Sequence, residues 1–257
     1  MKNVALATAL LLGLAAFKSD NHPSDGRQNA VLWFATSAES EACYLQAYAN
    51  AEAQLVALGR PNGRQVIITD LDETIFNNSA WSAAGVVDGT EFPTGWDAWE
   101  KKALATALPG AVEFFQKADK EGFQISYISN RDQTNLGATL SNMKQLGLPQ
   151  VDAEHIMLKT TTVNKESRRA QLRTNGLEIA MVLGDNIADF LDVPANATDA
   201  RRVDSVRAHK ADWGKKFIVF PNPMYGDWYS SLLRAATPTN KALVLNDKVG
   251  ILAAPAR

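Results

Sequence analysis

Asp70 and Asp72 flank a single leucine at the end of the run Gln65-Val66-Ile67-Ile68-Thr69. If the backbone stays extended there, side chains two residues apart point to the same side of the chain. Two carboxylates held together repel unless a cation neutralises them or one is protonated. Asp185 and Asp189 follow a second apolar run, and Ser129-Asn130-Arg131 close a third. Lys159 ends a fourth, with Lys165 a little beyond. Acids, a hydroxyl, an amide and lysines in one place suit phosphoryl transfer. One Asp attacks phosphorus and forms an acyl phosphate. The other hands a proton to the leaving oxygen and later takes one from water. Ser129 and Asn130 donate to phosphate oxygens, and a lysine neutralises the remaining charge. Clustered carboxylates are hard oxygen donors, and they point to Mg²⁺.

These residues work together only if the fold gathers them. From Pro109 onward, short apolar runs alternate with helical stretches. Strands are expected at 65–70, 123–129, 156–159, 179–185 and 217–220. Helices are expected at 110–121, 133–145, 165–174, 199–213 and 225–235. A helix over 36–58, capped by Thr36 or Ser37, precedes the first strand; it has no Pro or Gly. This alternation predicts an α/β fold, a Rossmann-like parallel sheet with helices on both faces. In such sheets ligands bind beyond the carboxyl ends of the strands, where every residue above falls. Residues 75–108 break the pattern. They hold Trp81, Trp96 and Trp99 among Gly85, Gly89, Pro93 and Gly95, and are expected to form an inserted, aromatic-rich cap.

Composition narrows the classes. The chain has 257 residues, 46% hydrophobic and 21% charged, as in soluble globular proteins. The 26 Lys and Arg against 28 Asp and Glu leave a net charge of −2, so no global basic field favours a nucleic acid polymer. Cys43 is the only cysteine, and the histidines, His22, His155 and His209, are scattered. Neither thiolate nor imidazole metal sites are expected.

At the start, Lys2 precedes the apolar stretch Val4–Phe17, 14 residues long. A membrane span needs about 20, so this stretch fits an export signal, with cleavage near Ala15 or Ala16. Residues 1–16 are thus read as a signal peptide, and the product as periplasmic or secreted. No cysteine follows the stretch, so no lipid anchor is expected.

The ordered set resembles the haloacid dehalogenase (HAD) superfamily. Asp70-Leu71-Asp72-Glu73-Thr74 is similar to its first motif and Ile128-Ser129-Asn130-Arg131 to its second. Lys165 matches the third, and Gly184-Asp185-Asn186 with Asp189-Phe190 the fourth. Within it the chain resembles the class C bacterial acid phosphatases, the family of lipoprotein nucleotide phosphatases. Asn78-Ser79, Pro109-Gly110-Ala111 and Thr36-Ser37-Ala38-Glu39 add to the likeness, which runs from about Trp33 to Tyr229. It implies an HAD-like domain over 17–257 with Asp70 as nucleophile and Asp72 as general acid/base. It further implies Mg²⁺ held by the Asp70 carboxylate, the Asp72 backbone carbonyl and Asp185, with Asp189 in support. Ser129 and Lys165 hold phosphate. Lys165 is preferred over Lys159 because its position opens a helix facing the site.

The family's use of aromatics from these regions implies that Phe76, Trp96 and Tyr225 grip a nucleoside monophosphate. The expected activity is a secreted Mg²⁺-dependent acid phosphatase acting on phosphate monoesters, nucleoside 5′-monophosphates among them. The expected partners are small phosphate monoesters, and a homo-oligomer is compatible with the pattern. The competing possibility is a non-catalytic binding protein for a phosphorylated ligand on the same fold. The presence of every motif acid argues against it. A receiver-type signalling domain fits neither export nor the cap.

Overall fold

Five apolar runs pair side by side into a parallel sheet in the order β5-β4-β1-β6-β7. The computed structural model describes residues 26–253 except Ala235 and Pro238, so the signal expected at 1–16 lies outside the described residues. Two helices, α1 (Arg27–Thr36) and α2 (Ala38–Leu58), precede β1 (Gln65–Thr69). The cap follows as β2 (Phe76–Asn77), α3 (Ser79–Asp88), α4 (Trp96–Lys102) and β3 (Thr106–Ala107). Then come α5 (Ala111–Lys120), β4 (Gln124–Asp132), α6 (Leu136–Gln145), β5 (Ile156–Lys159), α7 (Glu166–Thr174) and β6 (Glu178–Gly184). The chain closes with α8 (Ile187–Phe190), α9 (Asp199–Ala208), β7 (Phe217–Val219), α10 (Asp227–Leu232) and α11 (Lys241–Ala253).

Strand side chains alternate between two cores. Ile67, Ile125, Tyr127 and Leu183 face one, with Phe114 and Phe115 of α5. Ile68, Ile128, Val182 and Phe217 face the other, with Leu172 of α7 and Phe190 of α8. The period of two sends neighbours to opposite sides, which is why the strands read as continuous apolar runs.

Helix α2 starts where Ser37 Oγ accepts the Ser40 amide at 3.0 Å, as its sequence predicts. It buries Tyr44, Tyr48, Ala51 and Leu55, one stripe at helical spacing. The two tyrosines also set the chain beyond β1. Tyr44 donates to the Glu73 carbonyl at 2.6 Å, and Tyr48 to the Thr74 carbonyl at 2.8 Å. Glu73 has a φ of +55°, a left-handed turn held by these bonds and by its amide to Phe76 O. Close approach fixes one glycine. At Gly110 (φ +82°) a Cβ would lie 3.2 Å from the Tyr48 side chain.

The structure departs from the sequence expectations in several places. Helices α8 and α11 were not expected, and those expected over 199–213 and 225–235 are shorter, at Asp199–Ala208 and Asp227–Leu232. Helix α1 was not expected; it is separated from α2 by the extended Ser37. Residues 75–108 are not irregular but carry two helices and an antiparallel strand pair. The strands and α4 are too short to display a period, and α3, Ser79–Asp88, buries only Ser82 and Gly85, so it shows no apolar stripe. Strand β4 runs on through Asn130, Arg131 and Asp132 instead of ending at Ser129, and its pairing with β5 shifts between Ile128 and Asp132. No helix among the described residues is long and apolar enough to cross a membrane.

Candidate active site

At the carboxyl end of β1, the Asp70 amide donates to Leu183 of the neighbouring β6, which fixes the residue at the sheet edge. Its carboxylate meets Lys165 Nζ at 2.6 Å. Lys165 stands just before α7 and also reaches Asp189 Oδ1 at 2.7 Å, with its side chain only 4% exposed. The carboxylates of Asp70, Asp185 and Asp189 lie within 4.8 Å of one another. Asp185 Oδ2 accepts from Asn222 at 2.8 Å. Asp189 Oδ2 accepts the Asn186 amide at 2.8 Å while Asn186 Oδ1 accepts the Ala188 amide, a capping box that starts α8. Gly184 admits this arrangement: a Cβ there would lie 2.4 Å from Asp189 Oδ2 and 2.5 Å from its Cβ.

Too many acids share this pocket for the protein's own cations to balance. Burial pushes the Asp70 carboxyl up, Lys165 pulls it back, Asp189 and Asp72 raise it further, and the result is about 7. Burial, then Asp189 and Asp70, push Asp185 well above the usual carboxylate range. Burial pulls the Lys165 ammonium down, but Asp189 and Asp70 outweigh it and leave it above the ordinary lysine value. Three oxygen donors with an unmet demand for positive charge fit a hard divalent cation.

Asp72 does not join this cluster. Arg131 Nε reaches its two oxygens at 3.0 and 3.1 Å, and Nη2 reaches Oδ1 at 2.7 Å. Asn78 Nδ2 adds a bond to Oδ1 at 2.9 Å. All four expected carboxylates line one cavity, but only three form the tight cluster, because the Arg131 guanidinium, not a metal ion, neutralises the fourth. Phe76 is a second correction. Its ring is fully buried with the Arg131 guanidinium 4.6 Å from its centroid, so it has no face for a substrate.

The other expected residues divide. Asn130 is exposed and lines the cavity, with Oδ1 accepting from Arg168 at 2.6 Å. Ser129 lies just beneath, fully buried, its Oγ accepting the Arg131 amide at 3.1 Å. Lys159 sits at the cavity wall, 3.5 Å from Asp132, and does not reach Asp70. Trp96 and Tyr225 line the cavity with ring centroids 6.2 Å apart, and Trp81 meets Trp96 at 4.8 Å. Trp99 turns inward and donates to Asn78 Oδ1 at 2.8 Å. The cavity between cap and sheet measures about 1230 Å³.

Arg168 and Arg169, like Arg131 and Asn222 above, had no role in the sequence reading. Arg168 donates to the Ser129 carbonyl at 2.6 Å, and Arg169 to the carbonyls of Ala188 and Asp189 at 2.9 and 2.5 Å. Both are buried. Their signal was present: with Lys165 they stand at i, i+3 and i+4, one face of α7.

A five-strand parallel sheet with acids at the ends of β1 and β6, a buried lysine between them and a cap above defines an HAD-like hydrolase fold. The model of HAD superfamily subfamily IIIB (acid phosphatase) matches residues 14–228. The structure of the class C acid phosphatase from Bacillus anthracis is 37% identical, with a TM-score of 0.81, covering 87% of this chain and 96% of that one. The crystal structure of the same enzyme with tungstate bound gives 37% identity and a TM-score of 0.82, with 88% and 97% covered. The chain belongs to the subfamily IIIB acid phosphatases of the HAD superfamily, and it is a phosphoric monoester hydrolase.

Proposed function

We propose that this phosphatase is exported, depends on Mg²⁺, and hydrolyses nucleoside 5′-monophosphates and aryl phosphates through an aspartyl-phosphate. The observation that carries the mechanism is the buried Asp70 carboxylate 2.6 Å from Lys165. The carboxylate attacks phosphorus, and the bond to the ester oxygen breaks. Asp72 passes a proton to that oxygen, and the alcohol leaves. Asp72 then takes a proton from water as that water attacks the phosphorus on Asp70, releasing inorganic phosphate and restoring the carboxylate.

Lys165 and Asn130 hold phosphate oxygens, and Ser129 becomes a third donor once substrate draws its hydroxyl toward the cavity. Asp70, Asp185 and the Asp72 backbone carbonyl are the ligands for Mg²⁺, with Asp189 orienting Lys165. Bound there, Mg²⁺ supplies the positive charge that lets a phosphate dianion approach three carboxylates. The tungstate complex of the Bacillus anthracis enzyme supports an oxyanion site in this fold.

Trp96 and Tyr225 support the choice of substrate. Their rings line the cavity beside the phosphate edge, and stacking contributes about 1–3 kcal/mol per base. Hydrolysis of p-nitrophenyl phosphate with and without EDTA tests the metal. Undiminished turnover in EDTA overturns it. Mass spectrometry of exported protein tests the signal: intact Met1 or Lys2 refutes removal of residues 1–16.

A further inference from the structure

Asp72 Oδ1 accepts three donors: Arg131 Nε at 3.0 Å, Arg131 Nη2 at 2.7 Å and Asn78 Nδ2 at 2.9 Å. Among the described residues Oδ2 accepts only Arg131 Nε, at 3.1 Å. A carboxylate offers about four lone-pair sites over two oxygens, so Oδ1 is saturated and Oδ2 retains a free one. Asp72 lines the cavity. Arg131 is buried, with Phe76 beneath its guanidinium at 4.6 Å from the ring centroid. Asn78 is also fully buried and uses both ends of its amide. Nδ2 donates to Asp72 and to Glu73 Oε2, and Oδ1 accepts Trp99 Nε1 at 2.8 Å and Arg131 Nη2 at 3.4 Å. Trp99 belongs to cap helix α4.

We infer that Asn78 and Arg131 are positioning residues that turn Asp72 Oδ2 toward the scissile ester oxygen, and that the cap braces them through Trp99. Oδ2 is then the atom that carries the proton. It gives that proton to the leaving oxygen as the phosphorus–oxygen bond breaks, and Asp72 is left as the carboxylate that Arg131 and Asn78 already solvate. The pairing that removes Asp72 from the acid cluster is thus what aims it. A cap built around Trp99 also ties proton delivery to the surface that receives the leaving group. This inference rests on Asp72 being the general acid/base proposed above.

The test separates aiming from plain stability by varying the leaving group. p-Nitrophenolate departs with little need of a proton, whereas p-cresolate needs one, and both rings meet the same aromatic wall. kcat/KM is measured for the two phenyl phosphates with Asp72→Asn, Arg131→Met, Arg131→Lys and Trp99→Phe. The last keeps an aromatic ring but removes the N–H that reaches Asn78 together with part of the indole, so the difference between the two esters, not the overall loss, is what it reads.

Arg131→Met is expected to lose about tenfold or more on p-methylphenyl phosphate beyond its loss on p-nitrophenyl phosphate, within the range of general acid catalysis. Trp99→Phe is expected to lose severalfold in the same sense, and Arg131→Lys to recover part of the loss. Equal losses on both esters in Arg131→Met and Trp99→Phe, with Asp72→Asn still discriminating, overturn the inference. Equal losses in Asp72→Asn itself overturn the role of Asp72, and the inference with it. If Arg131→Met does not fold, Trp99→Phe decides alone.

Discussion

Lys165 lies 2.6 Å from Asp70 and shares its ammonium with Asp189, so one buried cation joins the ends of β1 and β6 through the start of α7. Removing the cation leaves Asp70, Asp185 and Asp189 facing one another without their protein partner. Breaking a buried pair from one side costs about 3–5 kcal/mol. Lys165→Met is therefore expected to lower stability by that order in urea unfolding of the metal-free protein, and to abolish turnover. Lys159→Met is expected to do neither, since Lys159 is 32% exposed and its ion pair is with Asp132, not with the acid cluster.

Asp70→Asn is expected to abolish phosphatase activity while the protein stays folded, because an amide cannot accept the phosphoryl group. The check is turnover of p-nitrophenyl phosphate beside a circular dichroism spectrum. Retention of more than a few per cent of activity would contradict a covalent route through this residue.

The raised Asp70 and Asp185 carboxyls make stability depend on pH. In the unfolded chain both ionise near the ordinary carboxylate value, and in the folded, metal-free protein Asp70 holds its proton up to about 7. Between those values the folded state binds more protons than the unfolded one, so stability falls as pH rises. The melting temperature of metal-free protein is expected to drop from about pH 4 to pH 7. The slope flattens in Asp70→Asn, and added Mg²⁺ restores the loss near neutrality. A melting temperature that climbs over that interval without metal contradicts the burial of these groups.

Metal removal and ligand loss have separable signatures. Asp185→Asn is expected to raise the Mg²⁺ concentration for half-maximal activity and to recover partly at high Mg²⁺. Gly184→Ala is expected to do more damage, because the added methyl displaces Asp189 Cβ as well as its carboxylate, and with it the partner of Lys165. Titration of activity with Mg²⁺ distinguishes the two: a shifted midpoint for Asp185→Asn, and a lowered plateau for Gly184→Ala.

Trp96→Ala and Tyr225→Ala are expected to raise KM for AMP about five- to hundredfold, following the energy of stacking, with a much smaller change for glycerol phosphate. Phe76→Leu is expected to leave the ratio between those substrates unchanged, since the ring lies beneath Arg131. Equal kcat/KM for AMP and glycerol phosphate in the intact enzyme removes the stacking argument.

Much of this was legible in one dimension. The strands, and the acids at their ends, follow from apolar runs that must be buried on both faces and so end abruptly in polar residues. Asp70, Ser129, Lys165 and Asp185 could be named because each closes such a run or opens the helix after it. What only the tertiary structure decided is how charge is shared among them. Asp70 and Asp72 are two residues apart, yet one faces Lys165 and the other faces Arg131. The Asp70 amide is tied to Leu183 of β6, while Arg131 of β4 and Asn78 of the cap hold the Asp72 carboxylate, so segments far apart in the chain separate the two. Phe76 and Trp96 looked alike as cap aromatics, but packing buries the first under a guanidinium and leaves the second on the cavity wall. Residue type and spacing determine which groups reach the sheet edge; pairing at that edge depends on distances between distant segments, which no local pattern encodes.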